Sequence, residues 1–341
     1  MEKHLLLARA TPSTPEQQLG VRGHPDQEMT GADEGARATS EMYIISLACM
    51  WVMSVSLREP VSMQDYEGIL GVMREAWSME ESEVVPVHVL KAVNENGGFL
   101  RVAEVDGRIV GFVLALIGYC EEHGYYLYSH MLGVLPAYRG TGVALRLKLL
   151  QREWALSRGY DLVTWTFDPH QGRNARFNFG KLGVIARKFY ENYYGELRDE
   201  LNRGLPTDRF LVEWWVNSER VKRRIIGIDA PPSFREIESK AFFPVETVRE
   251  GGFRKAAHVK LAEEELIALE FPYDITALRD ADLDAAWRWK VLFREAVKFY
   301  LQHGYIVCEH VSSSEDNERR NFYLLVRAEL HDVLEGNYPW R

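Results

Sequence analysis

One segment limits what this chain can fold into more than any other. Pro136 to Arg139 leads into Gly140, Thr141 and Gly142, which open an amphipathic run with Val143, Leu147, Leu150 and Trp154 on one helical face. The run closes at Arg158-Gly159, a basic last turn with a glycine cap. Strand-like stretches flank it, Tyr125 to Val134 before and Asp161 to Phe167 after, so the unit reads as a crossover between parallel strands. A helix entered this way leaves its first N–H groups without internal partners, at the positive end of its dipole. Gly140 and Gly142 admit backbone angles and a close approach that side chains would bar. Each favourable charge contact there contributes about 0.3 to 1 kcal/mol when exposed and up to about 2 kcal/mol when partly buried. A doubly charged diphosphate is the natural ligand, and Arg139 adds a side-chain charge; a plain turn before a surface helix is the competing account. Neither a full Gly-x-Gly-x-x-Gly nor a Gly-Lys-Ser/Thr ending is present, which weakens dinucleotide and P-loop readings.

The 341 residues suffice for two domains, and 46% hydrophobic residues suffice for their cores. A formal charge of -9 lacks the electrostatic footprint of a general nucleic-acid binder. Cys49, Cys120 and Cys308 are odd in number and widely spaced, so neither a disulfide framework nor a metal site is expected, and a cytoplasmic location fits. From Thr11 to Ser40 the chain is rich in Pro, Gly, Glu, Thr and Ala, too poor in large apolar residues to offset chain entropy. The apolar run from Met42 to Val55 falls short of the roughly 20 residues a membrane crossing needs, so no membrane anchor is read there. Residues 1–52 are therefore expected to be disordered, or an artefact of the start site, since Met50 and Met53 stand just before the first convincing strand.

Further elements follow from periodicity and breakers. Ser54 to Glu59 reads as a strand, Met63 to Ala76 and Val85 to Asn94 as helices, and Phe99 to Val105 and Ile109 to Tyr119 as strands. Asp106-Gly107 between the last two is a two-residue hairpin signal. Thr207 to Val216 closes the first domain, 53–218. The run Arg220 to Arg224 with Pro231-Pro232 reads as a solvated linker to a second domain, 219–341.

Leu132-Gly133-Val134-Leu135-Pro136, Arg139-x-x-Gly142-x-Ala144, the helix ending at Gly159 and the strand Leu162-Val163-Thr164-Trp165 together resemble the core of the GNAT acyltransferase superfamily. Asp168-Pro169, Asn174-Ala175, Lys181-Leu182-Gly183, Tyr193-Tyr194-Gly195 and Leu205 to Phe210 are similar to an uncharacterised bacterial branch of it. The resemblance spans roughly Ser54 to Val216, less than half of the chain. It implies an α/β fold with a mixed sheet, acetyl-CoA as acyl donor without a metal, and a small-molecule or protein amine as acceptor. By the same resemblance Arg139, Gly140, Thr141, Gly142, Val143 and Ala144 would hold the pyrophosphate, and the backbone of Leu132 and Val134 would pair with pantetheine where two strands splay. Asn174 falls where the family touches the cofactor arm, though its position before an apolar run equally suits a helix cap.

Acyl transfer to an amine needs a neutral nucleophile, a stabilised oxyanion and a leaving thiolate. Freeing a lysine-like amine of its proton at pH 7 costs about 4.6 kcal/mol, while releasing a thiolate costs only about 2 kcal/mol, so a base matters more than an acid. His130 lies on the strand leading to the splay and suits a base; packing beside Tyr126 and Tyr128 is the plainer account. Glu121 and Glu122 read as a solvated turn. The family's acidic tyrosine precedes a Leu-Gly-Phe segment; matching Lys181-Leu182-Gly183-Val184 to it puts Phe179 there, whereas a second register over Ala186 to Gly195 makes Tyr190 the acid. Tyr193 and Tyr194 read as core aromatics.

In the second half, Leu266 to Phe271, a helix from Asp282 to Gln302 and Tyr305 to Val311 repeat the order strand, helix, strand, and Asn321 to Arg327 follows as a last strand. Superposing Gly304-Tyr305 on Gly159-Tyr160 sets Leu292 on Leu147 and Phe299 on Trp154, which suggests a smaller α+β lobe, a degenerate half-GNAT unit with no glycine at its helix entry. An N-acetyltransferase is the leading expectation, and a non-catalytic acyl-CoA-binding or regulatory module the alternative. An aminoacyl transferase using charged tRNA would need a basic surface that the composition does not supply.

Overall fold

The computed structural model describes residues 54–195, 203–315 and 318–340, so the expectation for residues 1–52 lies outside the described residues. Strand β1 (Ser56–Arg58) enters helix α1 (Met63–Trp77) through Ser62, whose side chain accepts from the Asp65 N–H while Asp65 reaches back, a reciprocal capping box. Helix α2 (Val87–Glu95) ends before Gly97 and Gly98, and β2 (Phe99–Val105) and β3 (Arg108–Cys120) form a hairpin. Asp106 and Gly107 both take positive φ, 48° and 77°, as a two-residue turn of this hand requires. Strand β4 (Gly124–Val134), helix α3 (Val143–Ser157) and β5 (Leu162–Phe167) make the expected crossover, with β4 and β5 parallel.

A short helix α4 (Gly172–Ala175) continues as a π-helical turn over Arg176–Leu182 into β6 (Ile185–Tyr190), and β7 (Arg209–Trp215) returns between β5 and β6. The second half contributes α5 (Glu219–Ile225), α6 (Phe234–Glu238), the hairpin β8 (Val245–Glu250) and β9 (Phe253–Val259), and β10 (Leu266–Phe271). It ends with α7 (Ile275–Ala281), α8 (Leu283–Gln302), β11 (Tyr305–Glu315), β12 (Glu318–Arg327) and α9 (Leu330–Glu335). One sheet runs through both halves in the order β1-β2-β3-β4-β5-β7-β6-β11-β12-β10. In the second half β12 lies between β10 and β11, whereas β4 and β5 pair directly.

The basic run expected to be a solvated linker is α5, and two of its arginines are buried. Arg220, with no exposed surface, donates to the carbonyls of Gly183, Val184 and Cys308 and to the Tyr338 hydroxyl. Arg224 pairs with Glu309 at 2.6 Å and Asp229 at 3.5 Å. An arginine enters a core only when its donors are matched, and most of the groups that match these lie far along the chain, just before β6, in β11 and in the C-terminal segment. Local sequence carries no sign of them. Among the described residues no helix is long and apolar enough to cross a membrane.

Candidate active site

Strands β4 and β5 pair at only two positions, Leu127 with Val163 and Tyr128 with Thr164. Beyond them β5 stays paired with β7, Trp165 to Val212 through Phe167 to Phe210, while β4 follows β3, so the two parallel strands part into a fork. A bulge drives the divergence. Met131 lies opposite Leu114 and Ser129 opposite Ala115, which leaves His130 as the extra residue without a partner on β3. Past Tyr128 the β5 side of β4, including Leu132 and Val134, has no strand partner among the described residues and offers backbone groups to an extended ligand.

The glycine turn lies where β4 ends. Gly140 and Gly142 have φ of 83° and 92°, and a Cβ added to either would meet nothing within 4 Å. Gly142 caps α3 without any side-chain hydrogen bond, and the first helical bond runs from the Arg146 N–H to the Gly142 carbonyl at 3.0 Å. The N–H groups of Val143 and Ala144 therefore precede the ladder, beside open space at the positive helix end. This cradle fits a diphosphate. Thr141 donates to the Tyr138 carbonyl at 2.7 Å and shapes the turn. Arg139, exposed, donates to the carbonyls of Ala76 at 2.6 Å and Val134 at 3.4 Å, tying the cradle to the ends of α1 and β4. Asn174 is the third residue of α4 and exposed; Gln171 takes the cap position, so the cap reading of Asn174 is corrected.

Across the fork, the face opposite α3 collects hydroxyls. Trp165 faces α3, where the Lys148 ammonium lies 3.5 Å from its ring centre, so Thr164 and Thr166 point the other way. His130 stacks on Tyr128 with centroids 6.2 Å apart. Its ring is open to solvent yet crowded by protein, and this desolvation holds its imidazole below the ordinary histidine value, neutral at pH 7. The Tyr128 phenol is pushed up to about 12, by burial first and then by Tyr194 beside it.

Tyr190, at the end of β6, pairs with Arg209 and stacks on Tyr193 at 4.9 Å; Tyr193 meets Tyr194 edge-on at 4.8 Å. It is Tyr194 that reaches the fork, its hydroxyl 3.1 Å from the Thr166 hydroxyl. The expectation that Tyr193 and Tyr194 are core aromatics is wrong: they are 46% and 44% exposed. Their pairing beside a glycine in a turn, rather than at strand or helix spacing, was the available signal. Phe179 is fully buried between Phe167 and Tyr323. Glu122 is engaged by Arg187 at 3.3 Å and His123 at 3.2 Å. Among the described residues no group of His, Cys, Asp and Glu is placed to hold a metal ion.

Residues 64–183 match the family model described as the acetyltransferase (GNAT) family. A search of curated proteins returns no match. Among solved structures, Naa50 of Arabidopsis thaliana in complex with a bisubstrate analogue is similar at 19% identity, covering 47% of this chain and 97% of that one, with a TM-score of 0.38. The ribosomal-protein-S18-alanine N-acetyltransferase of Escherichia coli is 10% identical over 48% of this chain and 94% of its own, at a TM-score of 0.38. For aminoglycoside 6'-acetyltransferase type Ii the values are 16%, 48%, 97% and 0.39.

Proposed function

We propose, from the premise that residues 64–183 form a domain of the GNAT acetyltransferase family, that this protein transfers an acyl group, acetyl in the simplest case, from acyl-CoA to an amine. The observation that carries the reading is the conjunction of an uncapped, glycine-opened helix start with a fork between parallel strands. In this reading the N–H groups of Val143 and Ala144 and the Gly140-Thr141-Gly142 turn take the donor's diphosphate, and the free edge of β4 at Leu132 and Val134 takes its amide-bearing arm. Asn174 borders that arm.

At the fork the acceptor amine forms the N–C bond and the C–S bond breaks. His130 takes the amine's proton, which a neutral imidazole can do and an imidazolium cannot. The departing sulfur takes a proton from a phenol, and the geometry favours Tyr194 over Tyr190 for that role because Tyr194 reaches Thr166 on β5. Water then returns the proton from His130 to the phenolate, so the net products are the N-acyl amine and CoA thiol. The spacing of the cysteines fits a reaction in the cytoplasm.

The test is titration of acetyl-CoA by calorimetry, then thiol release with tyramine, spermidine, an aminoglycoside and a peptide with a free N-terminus. Binding together with release that requires His130 supports the reading. Phe179, buried at the position of the family's tyrosine in one register, favours a second reading, a non-catalytic acyl-CoA-binding module. Tight binding without release from any of the four amines would select it.

A further inference from the structure

Helix α8 of the second half touches both segments that carry the hydroxyl pair at the fork. Lys290, almost fully buried, donates to Asp168 at 3.0 Å; Asp168 follows β5 directly, two residues after Thr166, and its same oxygen accepts the His170 N–H at 2.9 Å. One turn further along α8, Arg294 holds Asp208 with two donors, at 2.8 and 3.2 Å. Asp208 has no exposed surface and accepts the Asn192 N–H at 3.0 Å. Its neighbour Thr207 accepts the N–H of Tyr193 at its carbonyl and that of Tyr194 at its hydroxyl, both at 3.0 Å. Arg294 also lies 3.4 Å from Glu191, which Lys298 pairs with, and Trp287 donates to the Gly204 carbonyl at 2.7 Å. Trp287, Lys290, Arg294 and Lys298 recur at helical spacing, so one strip of α8 grips the end of β5 and the turn after β6 together.

We propose that α8 is a two-pronged brace, Lys290 on Asp168 and Arg294 on Asp208, that sets the Thr166–Tyr194 pair and so makes the C-terminal half part of the acyl-transfer apparatus. The inference rests on the function proposed above. Arg294 and Lys290 are positioning residues in it; they act through Tyr194, which delivers its proton to sulfur as the C–S bond breaks. Tyr194 is nearly half exposed in a turn, and a turn so placed wanders unless its backbone is fixed from behind. Two carboxylates held against cations, Asp208 fully buried and Asp168 largely so, supply that fixing, and an arginine fork defines direction as well as distance.

The test is a double-mutant cycle with Arg294→Met, Tyr194→Phe and both, read as kcat with acetyl-CoA and the best amine of the panel above, beside acetyl-CoA affinity by calorimetry. Misplacing the phenol by an ångström predicts a kcat loss of about tenfold or more in Arg294→Met, with affinity unchanged within about twofold. The double variant should be no slower than Tyr194→Phe, and Arg294→Lys should recover part of the rate. Wild-type kcat in Arg294→Met, or losses that multiply in the double variant, would overturn the brace. If Arg294→Met fails to bind acetyl-CoA through misfolding, Arg294→Lys combined with Asp208→Asn replaces it in the cycle under the same criteria. A fluorotyrosine at position 194 reports independently of turnover: Arg294→Met should move its fluorine resonance toward the unfolded value, and an unmoved resonance counts against the brace. Absence of transfer to all four amines with a moved resonance would sink the transferase reading while leaving the brace in place.

Discussion

Helix α3 leads from β4 to β5 and helix α8, after the short α7, leads from β10 to β11, yet the two are built to opposite ends. Helix α3 starts at Gly142 in a left-handed conformation, with no side chain on its free N–H groups and open space beside them. Helix α8 starts at Asp282, whose carboxylate accepts the Ala285 N–H at 2.9 Å and pairs with Lys255 at 2.7 Å. One helix end is left open and the other carries its own carboxylate. The difference extends along the helices. Each buries a lysine, but Lys148 on α3 rests on Ser129, Gln151 and the Trp165 ring, whereas Lys290 on α8 meets a carboxylate. Standing between two strands therefore does not assign a role; what fills the helix start and what faces the buried charges does.

The largest effect should come from the lysines. Removing one partner of a buried ion pair leaves the other uncompensated, so Lys290→Met should lower the unfolding free energy by about 3 to 5 kcal/mol. Lys148→Met should leave it unchanged or raise it, because no carboxylate is orphaned and burial already pushes the Lys148 amine well below its ordinary value. Denaturant unfolding of the two variants decides; equal losses would erase the contrast. The acid dependence has a definite sign. Burial alone would raise the Asp168 carboxyl, but Lys290 and then His170 hold it well below the carboxylate range. Its contribution to stability is thus complete above the ordinary value of 3.8 and drains away as pH falls below it.

Next in size is the bulge. Strand β10 pairs with β12 in unbroken register, whereas β4 expels His130 beside its fork. His130→Ala should reduce kcat by about a hundredfold or more, the usual weight of a general base. In the unaltered protein kcat/KM should fall as acid protonates this imidazole, at a pH below the ordinary histidine value of 6.5, and hold level above it. That acid limb should vanish in the alanine variant. A limb that persists unchanged would assign the base elsewhere.

The first of these two helix starts was legible because its signal is local. A Gly-x-Gly turn, an apolar stripe and a terminal Arg-Gly fix the start and end of α3 within a residue or two, and Asp106-Gly107 likewise fixed its hairpin. Even here the stripe misled in part, since Lys148 and Gln151 are buried on it while Leu150 and Trp154 are only partly so. Polar side chains enter a stripe when partners meet them, and those partners lie on β4 and β5. The same reason hid α5: the groups that meet Arg220 and Arg224 include Glu309 and Tyr338, which nothing near residue 220 announces. Tyr194 was misjudged by type, an aromatic presumed inside, when its turn is held outward by Thr207. Of the candidate site, the glycine-opened helix start was readable from spacing, and the hydroxyl side was not, because Thr166 on β5 and Tyr194 in the turn after β6 meet only in the fold.

Gly142→Val tests the open helix end. A branched side chain at φ of 92° costs about 1 to 2 kcal/mol in backbone strain, and its Cβ enters the space assigned to the diphosphate. Acetyl-CoA affinity should fall about ten- to a hundredfold by calorimetry as the terminus contacts are lost, while the strain, present with or without ligand, lowers stability instead. Affinity equal to that of the unaltered protein would mean that the ligand lies elsewhere.

The closed end gives the smallest effect and the sharpest control. Asp282→Ala removes a cap whose carboxyl is held below its ordinary value by Lys255 first and by the Ala285 N–H next. Loss of the aspartate cap should lower the thermal midpoint by a few degrees. Acetyl-CoA affinity should not change, since α8 meets the fork through Lys290 and Arg294, two to three turns from Asp282. Were affinity to fall instead, the two helix starts would not be independent, and the assignment of the diphosphate to α3 alone would have to give way to a site drawing on both halves.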